Sequence, residues 1–354
     1  MLISELYGKC WSPLLLGKKC QDPSLGRKFP VASWDTRVGI EIEAENYQGF
    51  PVDANILDVI SAIWHHKAEQ SLRNRGIEFI TGAIAGNQIG EALSVLETMN
   101  KVGNLLYTEL AGLHIHLNVR NFTVEQFANL VMLYLVFEKS LYRVSGNRED
   151  SIYCVPARAC VSGLHYLINA LDIYNSVKMA NKYMGFNYAV VKTYGSIEFR
   201  HSRGCPDVSY ILHWINTLLR MHTAAQAWNT QELRQVLFQL NTNSEYVNFT
   251  QDIFKTDSDW IITQNLDSEM SEGVSILKEW TINSHMNQTK ILDEPTVKRK
   301  PPKPIPKAAK PDVMIVDDVI HLGGVVVNNP INWDVVADNL QLMPFEVPPA
   351  PVRR

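Results

Sequence analysis

Residues Val38-Gly39-Ile40-Glu41-Ile42-Glu43-Ala44-Glu45 alternate carboxylates with small or apolar side chains. A β-strand repeats its faces every two residues, so Glu41, Glu43 and Glu45 would share one side and Ile40, Ile42 and Ala44 the other. Carboxylates two strand residues apart lie roughly 7 Å from one another. Where the effective dielectric is low their repulsion calls for a cation, and a divalent metal is the simplest one. A strand whose acidic side looks into water would show the same alternation, so recurrence elsewhere in the chain has to decide.

The pattern recurs three times. Glu78 alternates with apolar neighbours in Ile77-Glu78-Phe79-Ile80, His114 and His116 in Leu113-His114-Ile115-His116-Leu117, and Glu198 and Arg200 in Ser196-Ile197-Glu198-Phe199-Arg200-His201. A donor set of carboxylates with one or two histidines favours Mg²⁺ or Mn²⁺, because hard oxygen ligands suit hard cations. The His-x-His pair leaves a second chemistry open, in which His114, His116 and one glutamate hold a single zinc or iron for hydrolysis or oxygenation. Arg200 is either an ion-pair partner of Glu198 or, with Glu198 on a metal, a planar fork for phosphate or carboxylate. Metal, arginine and several acids together form the kit for phosphoryl transfer. No G-x-x-x-x-G-K-[ST] loop is present, and Gly82, Gly86 and Gly90 have the wrong spacing for one.

Four such strands side by side make a sheet with one polar face and one apolar face, and the apolar face needs helices behind it. The helices are readable. Asp53 to His66 is helix-like; Gln88 to Asn100 carries Ile89, Leu93 and Leu96 at helical spacing, with Gly103 as a stop. Thr123 and Gln126 form a capping box that opens a helix running to about Val144, with Phe127, Leu130, Val131, Tyr134, Phe137 and Leu141 as its buried stripe. Pro206-Asp207 leads into an apolar helix from Val208 to Trp228, and Gln231 to Leu240 and Ser268 to Trp280 continue the helical pattern. Ser145 to Pro156 is a polar loop of the kind that carries function on a rigid scaffold.

Composition bounds the rest. The 354 residues are 46% hydrophobic and 20% charged, which is ordinary for a globular protein. A net charge of −4 gives no general attraction to nucleic acid or to a membrane surface. The longest apolar run, Leu130 to Phe137, is far short of the ~20 residues that span a bilayer. Five cysteines without a C-x-x-C pair, and no leader-like start, predict reduced thiols and a cytoplasmic protein. The expected organisation is an irregular lead-in over 1–30, a catalytic domain over 31–295, a basic Pro-rich linker over 296–312 and a partly ordered tail over 313–354.

Gly39-Ile40-Glu41-Ile42-Glu43, then Ser71-Leu72-Arg73-Asn74 with Gly76-Ile77-Glu78-Phe79, then Gly112-Leu113-His114-Ile115-His116, then Ile197-Glu198-Phe199-Arg200 with Gly204 and Asp207, resemble in order the amidoligases. These are phage and bacterial carboxylate-amine ligases similar to glutamine synthetase and glutamate-cysteine ligase, and the resemblance covers about residues 35 to 225. It implies an α+β fold with a glutamine-synthetase-like curved antiparallel β-sheet, one face of which carries the active site while helices pack on the other. It implies ATP and two or three Mg²⁺ (or Mn²⁺) ions, a carboxylate phosphorylated by ATP, and an amine that displaces the phosphate to leave an amide or isopeptide bond. Glu41, Glu43, Glu78 and Glu198 would be metal ligands, and His114 a ligand or phosphate contact. Arg200 would clamp phosphate, with Glu78 and His116 beside it among the catalytic groups, although His116 as a mere hydrogen-bonded neighbour stays open. Arg73, Arg148 and Arg158 would contact substrate or nucleotide. Glu69 stands where the family pattern has an aspartate, and Cys205 where it has a threonine.

The expected partners are a carboxylate and an amine on a small molecule, a peptide or a protein, in the host cytoplasm if the gene is a phage's, with an oligomer left open. A non-enzymatic binding protein that keeps the fold and recruits partners through its Pro-rich tract is the third reading.

Overall fold

The computed structural model describes residues 1–7, 35–52, 54–169 and 173–292; the Pro-rich tract and everything beyond it lie outside these. The chain divides into two units, residues 1–295 and 296–354, and all described residues belong to the first. In chain order it contains α1 (Ile3–Tyr7), β1 (Val38–Ala44), α2 (Ala54–Ile63), β2 (Trp64–Ala68), β3 (Ile77–Thr81), α3 (Asn87–Val102), β4 (Gly112–Asn118) and α4 (Val124–Val144). There follow α5 (Val161–Ile168), α6 (Ile173–Met179), β5 (Phe186–Asn187), α7 (Val191–Tyr194), β6 (Ser196–Arg203) and α8 (Val208–Ala227). The last are α9 (Thr230–Gln239), α10 (Asn243–Phe254), α11 (Ser258–Ile261) and α12 (Leu266–Leu292).

The strands form one six-stranded sheet in the order β2-β3-β1-β4-β6-β5, antiparallel at every pairing, so the fold is α+β. Ile40, Ile42, Leu113, Ile115, Phe79, Ile197 and Phe199 are 5% exposed or less and make the core face, as their alternation predicts. Helices cover that face. α4 is buried over most of its 21 residues and is wrapped by α5, α8, α9 and α12. Its capping box is present with both bonds, Gln126 N–H to Thr123 Oγ1 at 3.2 Å and Thr123 N–H to Gln126 Oε1 at 2.9 Å. Asp207 caps α8 by accepting from the backbone N–H groups of Ser209 and Tyr210. Where α12 crosses α4 only glycine fits: a Cβ on Gly273 would collide with the carbonyl oxygen of Leu135.

Two local readings differ from the sequence expectation. The helix expected through His66 ends at Ile63, and Trp64–Ala68 pairs with β3 as an edge strand. Trp64 is the cause: its ring is buried and its Nε1 donates to the Ala92 carbonyl on α3 at 3.0 Å, while His65, His66 and Lys67 stay exposed. Residues 3–7 of the supposed irregular lead-in are helical, with Ile3 fully buried and its N–H bonded to the Phe122 carbonyl at 2.9 Å. Glu45, the last carboxylate of the alternating stretch, is only 2% exposed. It lies just past β1 and accepts from the Arg73 N–H at 3.1 Å and the Thr108 hydroxyl at 3.2 Å, so it ties two loops together.

Candidate functional site

Strand register alone brings the sequence candidates into three rows. Glu43 on β1 lies opposite Glu78 on β3, which lies opposite Lys67 on β2. Glu41 lies opposite His114. Gly39 lies opposite His116, His116 opposite Glu198 on β6, and Glu198 opposite Asn187 on β5. Directly opposed residues of antiparallel strands share a face with Cβ atoms about 5 Å apart, so the four alternating stretches converge on one patch.

The side chains meet there. The His116 Nε2 atom is 3.2 Å from Glu41 Oε1, and its Nδ1 is 3.1 Å from the Ser196 hydroxyl. The His114 Nδ1 atom is 3.4 Å from Glu41 Oε2 and 3.3 Å from Glu198 Oε1. Glu43 accepts the Gly112 N–H at 2.6 Å, an approach only a glycine permits, since a Cβ there would lie 2.6 Å from His114 Nε2 and 3.1 Å from Glu43 Oε2. Glu198 is pinned on both oxygens, by Arg200 on Oε1 and by the Asn187 amide on Oε2 at 2.6 Å. Glu43, Glu78, Glu198, His114 and His116 are all at most 7% exposed.

Burying so many carboxylates costs free energy that only counter-charge offsets. Part of that charge is in the chain. Burial alone would raise the Glu41 carboxyl, yet His116 and His114 beside it hold it well below the usual range. Burial would likewise lower His116, and the Glu41 carboxylate raises it instead. Burial and then the charge of Glu41 push Glu78 up to about 7, although the Lys67 ammonium sits 2.5 Å from its Oε2.

The donor atoms fall into three groups whose members lie within 4.8 Å of one another: Glu41, His116 and Glu198; Glu41, Glu78 and His114; and Glu43, Glu69 and Glu78. Each is mostly oxygen, which suits Mg²⁺ or Mn²⁺, and Glu41 and Glu78 are each shared by two groups. His114 and His116 fall in different groups, so the single-metal His-x-His site finds no such arrangement among the described residues.

Of the arginines expected at the site, two line a cavity of about 50 Å³ together with Glu43, Glu109, His114 and Tyr153. Arg200 reaches it from β6 and also donates through Nε to the Tyr153 carbonyl at 3.2 Å. Arg148 is buried, donates to the Ser202 carbonyl at 2.9 Å, and has its pKa lowered by that burial. The other two are placed differently. Arg73 is exposed and contributes its backbone N–H to Glu45, in a turn where Asn74 and Arg75 take left-handed φ of 49° and 59°. That turn instead presents Ser71 to the cavity and Glu69 to the acid patch. Arg158 bonds Glu138, buried on α4, at 3.0 Å and also pairs with Glu149, as a buried carboxylate requires of a nearby cation.

Residues that sequence reading did not place here are Asn187, Lys67, Glu69 as a donor, Ser71 and Glu109. Asn187 belongs to a two-residue strand and Lys67 to an exposed edge, neither of which shows alternation.

Residues 50–222 match the sequence model of a family described as "putative amidoligase enzyme". The match begins after β1, so Glu41 and Glu43 rest on geometry rather than on it. Among solved structures, one titled "GmaS/ADP complex-Conformation 1" aligns with 74% of this chain and 71% of its own at 12% identity and a TM-score of 0.31. No curated protein sequence matches the chain.

Proposed function

We propose that this chain, which carries the amidoligase pattern over residues 50–222, is an ATP-dependent carboxylate-amine ligase working through an acyl phosphate. The observation that carries the reading is the continuous front of the sheet, where seven oxygen and imidazole donors form three adjoining groups beside two arginines. A hydrolase with one metal would use only one of those groups and would leave Arg200 idle.

The three groups fit Mg²⁺, since their donors are mainly carboxylate oxygens gathered within 4.8 Å of one another. Bound there, the ions would neutralise the triphosphate and polarise the transferred phosphoryl group. The chain's own residues do the rest. Arg200, held by Glu198 and the Tyr153 carbonyl, presents its remaining donors to the anionic oxygens that gain charge as the carboxylate attacks the γ-phosphorus. Arg148, braced on the Ser202 carbonyl, supplies a second fixed positive charge on the same cavity. In the second half-reaction the amine nitrogen adds to the acyl carbon, the C–O bond to phosphate breaks, and the amine must lose a proton. Glu78 stands in the patch to accept it where its carboxylate is not engaged by an ion. Tyr153, Ser151 and Arg148 of one loop line the cavity in which the acyl phosphate would form.

Incubation with Mg²⁺, ATP, hydroxylamine and a panel of carboxylates tests the reading, because hydroxylamine traps an acyl phosphate whatever the natural amine is. Hydroxamate and phosphate should form together, and Glu198→Gln and Arg200→Ala should each remove both products while the protein stays folded. Absence of hydroxamate with every carboxylate, together with zinc- or iron-dependent hydrolysis or oxidation, would overturn it.

A further inference from the structure

Thr108-Glu109-Leu110-Ala111 forms a turn just ahead of β4, and Glu109 is its one charged residue. Glu109 is exposed, and an exposed carboxylate on a turn is ordinarily surface charge. This turn, however, is built into the site. It closes on itself through the Ala111 N–H, bonded to the Thr108 carbonyl at 3.1 Å, and the Leu110 N–H, bonded to Thr108 Oγ1 at 3.3 Å. Buried Glu45 anchors it on one side: its carboxylate accepts the Thr108 hydroxyl at 3.2 Å, and its backbone pairs in both directions with Leu106, at 2.8 and 3.1 Å. On the other side the Gly204 N–H bonds the Ala111 carbonyl at 2.9 Å, and a Cβ on Gly204 would lie 2.8 Å from the Glu43 carbonyl oxygen. A turn tied in this way presents its tip in one place, and Glu109 there lines the cavity of about 50 Å³ that holds Arg148 and Arg200.

That cavity brings together charges of both signs. Two guanidiniums line it, and so do the carboxylates of Glu43 and Glu109 with the residues Ser71, Ser151 and Tyr153. Opposite charges set round one small space favour a ligand, or a pair of ligands, that brings both signs. The arginines suit an anion, as the transferred phosphoryl group requires. For the cation, the chemistry points away from a metal at Glu109. A divalent ion asks for several carboxylates at once, and among the described residues the three donor groups supply those without it. An ammonium group has three N–H donors and no acceptor, so one carboxylate with hydroxyl oxygens beside it serves, and the face of a tyrosine attracts it further. The volume admits head groups rather than whole reactants, so an ammonium at Glu109 would lie close to the anion on the arginines.

We propose that Glu109 is a specificity-determining residue, which seats an alkylammonium group beside the anion held by Arg148 and Arg200. The ammonium belongs either to the amine reactant before it loses its proton or to an amino group carried by the carboxylate reactant. Its identity as part of a reactant rests on the ligase reading; the seating itself does not.

The test uses the full chain with Mg²⁺ and the variants Glu109→Gln, Glu109→Asp and Arg200→Gln in calorimetric titrations. One arm titrates glycine, β-alanine, 4-aminobutyrate and 6-aminohexanoate, each against the carboxylate of the same length without the amino group. The other titrates methylammonium in the presence of acetate. Wild type should prefer the ammonium-bearing probe by about three- to tenfold in the first arm, or bind methylammonium in the second, the range being that of an ion pair with an exposed carboxylate. Glu109→Gln should remove that preference or binding, Glu109→Asp should keep most of it, and Arg200→Gln should weaken an amino acid and its amino-free counterpart alike. A response in the first arm places the ammonium on the carboxylate reactant, and one in the second alone places it on the amine. In the hydroxamate assay a preference found in the first arm should reappear in Glu109→Gln as a KM raised more for the amino-bearing carboxylate than for its counterpart. Identical behaviour of wild type and folded Glu109→Gln protein in both arms overturns the proposal. Loss of ammonium binding in a protein that makes no hydroxamate leaves the ammonium seat standing and removes the ligase reading.

Discussion

His222 gives a prediction whose size can be worked out. It sits on α8, 2% exposed, with its ring 4.4 Å from that of Phe122 and its Nε2–H donated to the Asn118 carbonyl at 2.8 Å. The Nδ1 atom has no hydrogen-bond partner among the described residues, so protonating it would create a buried N–H⁺ with no acceptor there. Burial accordingly lowers the imidazole from 6.5 to about 4, the bond to Asn118 only partly opposing it. The folded state thus refuses a proton that the unfolded state accepts between about pH 4 and pH 6.5. Stability therefore rises with pH across that window. At about 1.4 kcal/mol per unit, the loss on acidification amounts to about 3 kcal/mol once titration is complete and about 2 kcal/mol at pH 5. Other groups titrate in the same range, so the measurement has to be a difference. Urea unfolding of wild type and His222→Gln, followed by tryptophan fluorescence from pH 8 to pH 5, isolates the term. The variant starts less stable, because glutamine fills the site less well and the contact with Phe122 is lost, but the gap should shrink by about 2 kcal/mol by pH 5. A gap that stays constant across the range would refute the buried neutral imidazole.

Glu138→Ala should destabilise the protein by about 3 to 5 kcal/mol in chemical denaturation, because it strands Arg158 and the backbone N–H groups of Ala157 and Arg158 that the carboxylate now accepts. Gly273→Val should lower the thermal midpoint sharply, since its side chain would meet the Leu135 carbonyl; overpacking of this kind costs about 1 to 3 kcal/mol and sometimes more. Lys67→Met removes the cation beside Glu78 and should tighten Mn²⁺ binding measured by paramagnetic relaxation several-fold, while unchanged affinity would mean that the Glu43, Glu69 and Glu78 group takes no ion.

The site was legible where the sequence had to satisfy two solvents at once. A strand with a helix-covered back and a charged front must alternate strictly, and β1, β3, β4 and β6 do so, which is why Glu41, Glu78, His114 and Glu198 could be grouped before any fold was known. Edges lack that constraint. Trp64 to Ala68 has one buried residue followed by four exposed ones, and its strand identity comes from pairing with β3 and from a single indole bond to α3. Arginines were the least legible. Arg73, Arg148, Arg158 and Arg200 look alike in a sequence, but their roles depend on partners far along the chain: Glu45 for the backbone of Arg73, Ser202 for Arg148, Glu138 for Arg158.

Charge order along the sheet front ties these observations together. Arg148 and Arg200 stand at one end, the carboxylates and imidazoles in the middle, Arg37 and Arg120 at the other. Pairing each buried acid with its nearest base would suffice for folding, yet Glu41 and Glu78 also crowd each other. Lys67 and Arg200 offset only part of the crowding, and Glu78 keeps a pKa of about 7 in spite of Lys67. On the proposed ligase reading, the centre of this front takes up cations and Arg148 and Arg200 meet the anion beside them. Its stability should accordingly increase when Mg²⁺ and a nucleotide are added together, by more than the sum of their separate effects. Thermal unfolding with each alone and with both measures this directly, and strictly additive shifts would mean that the acid patch and the arginines beside it do not act on a shared set of ligands.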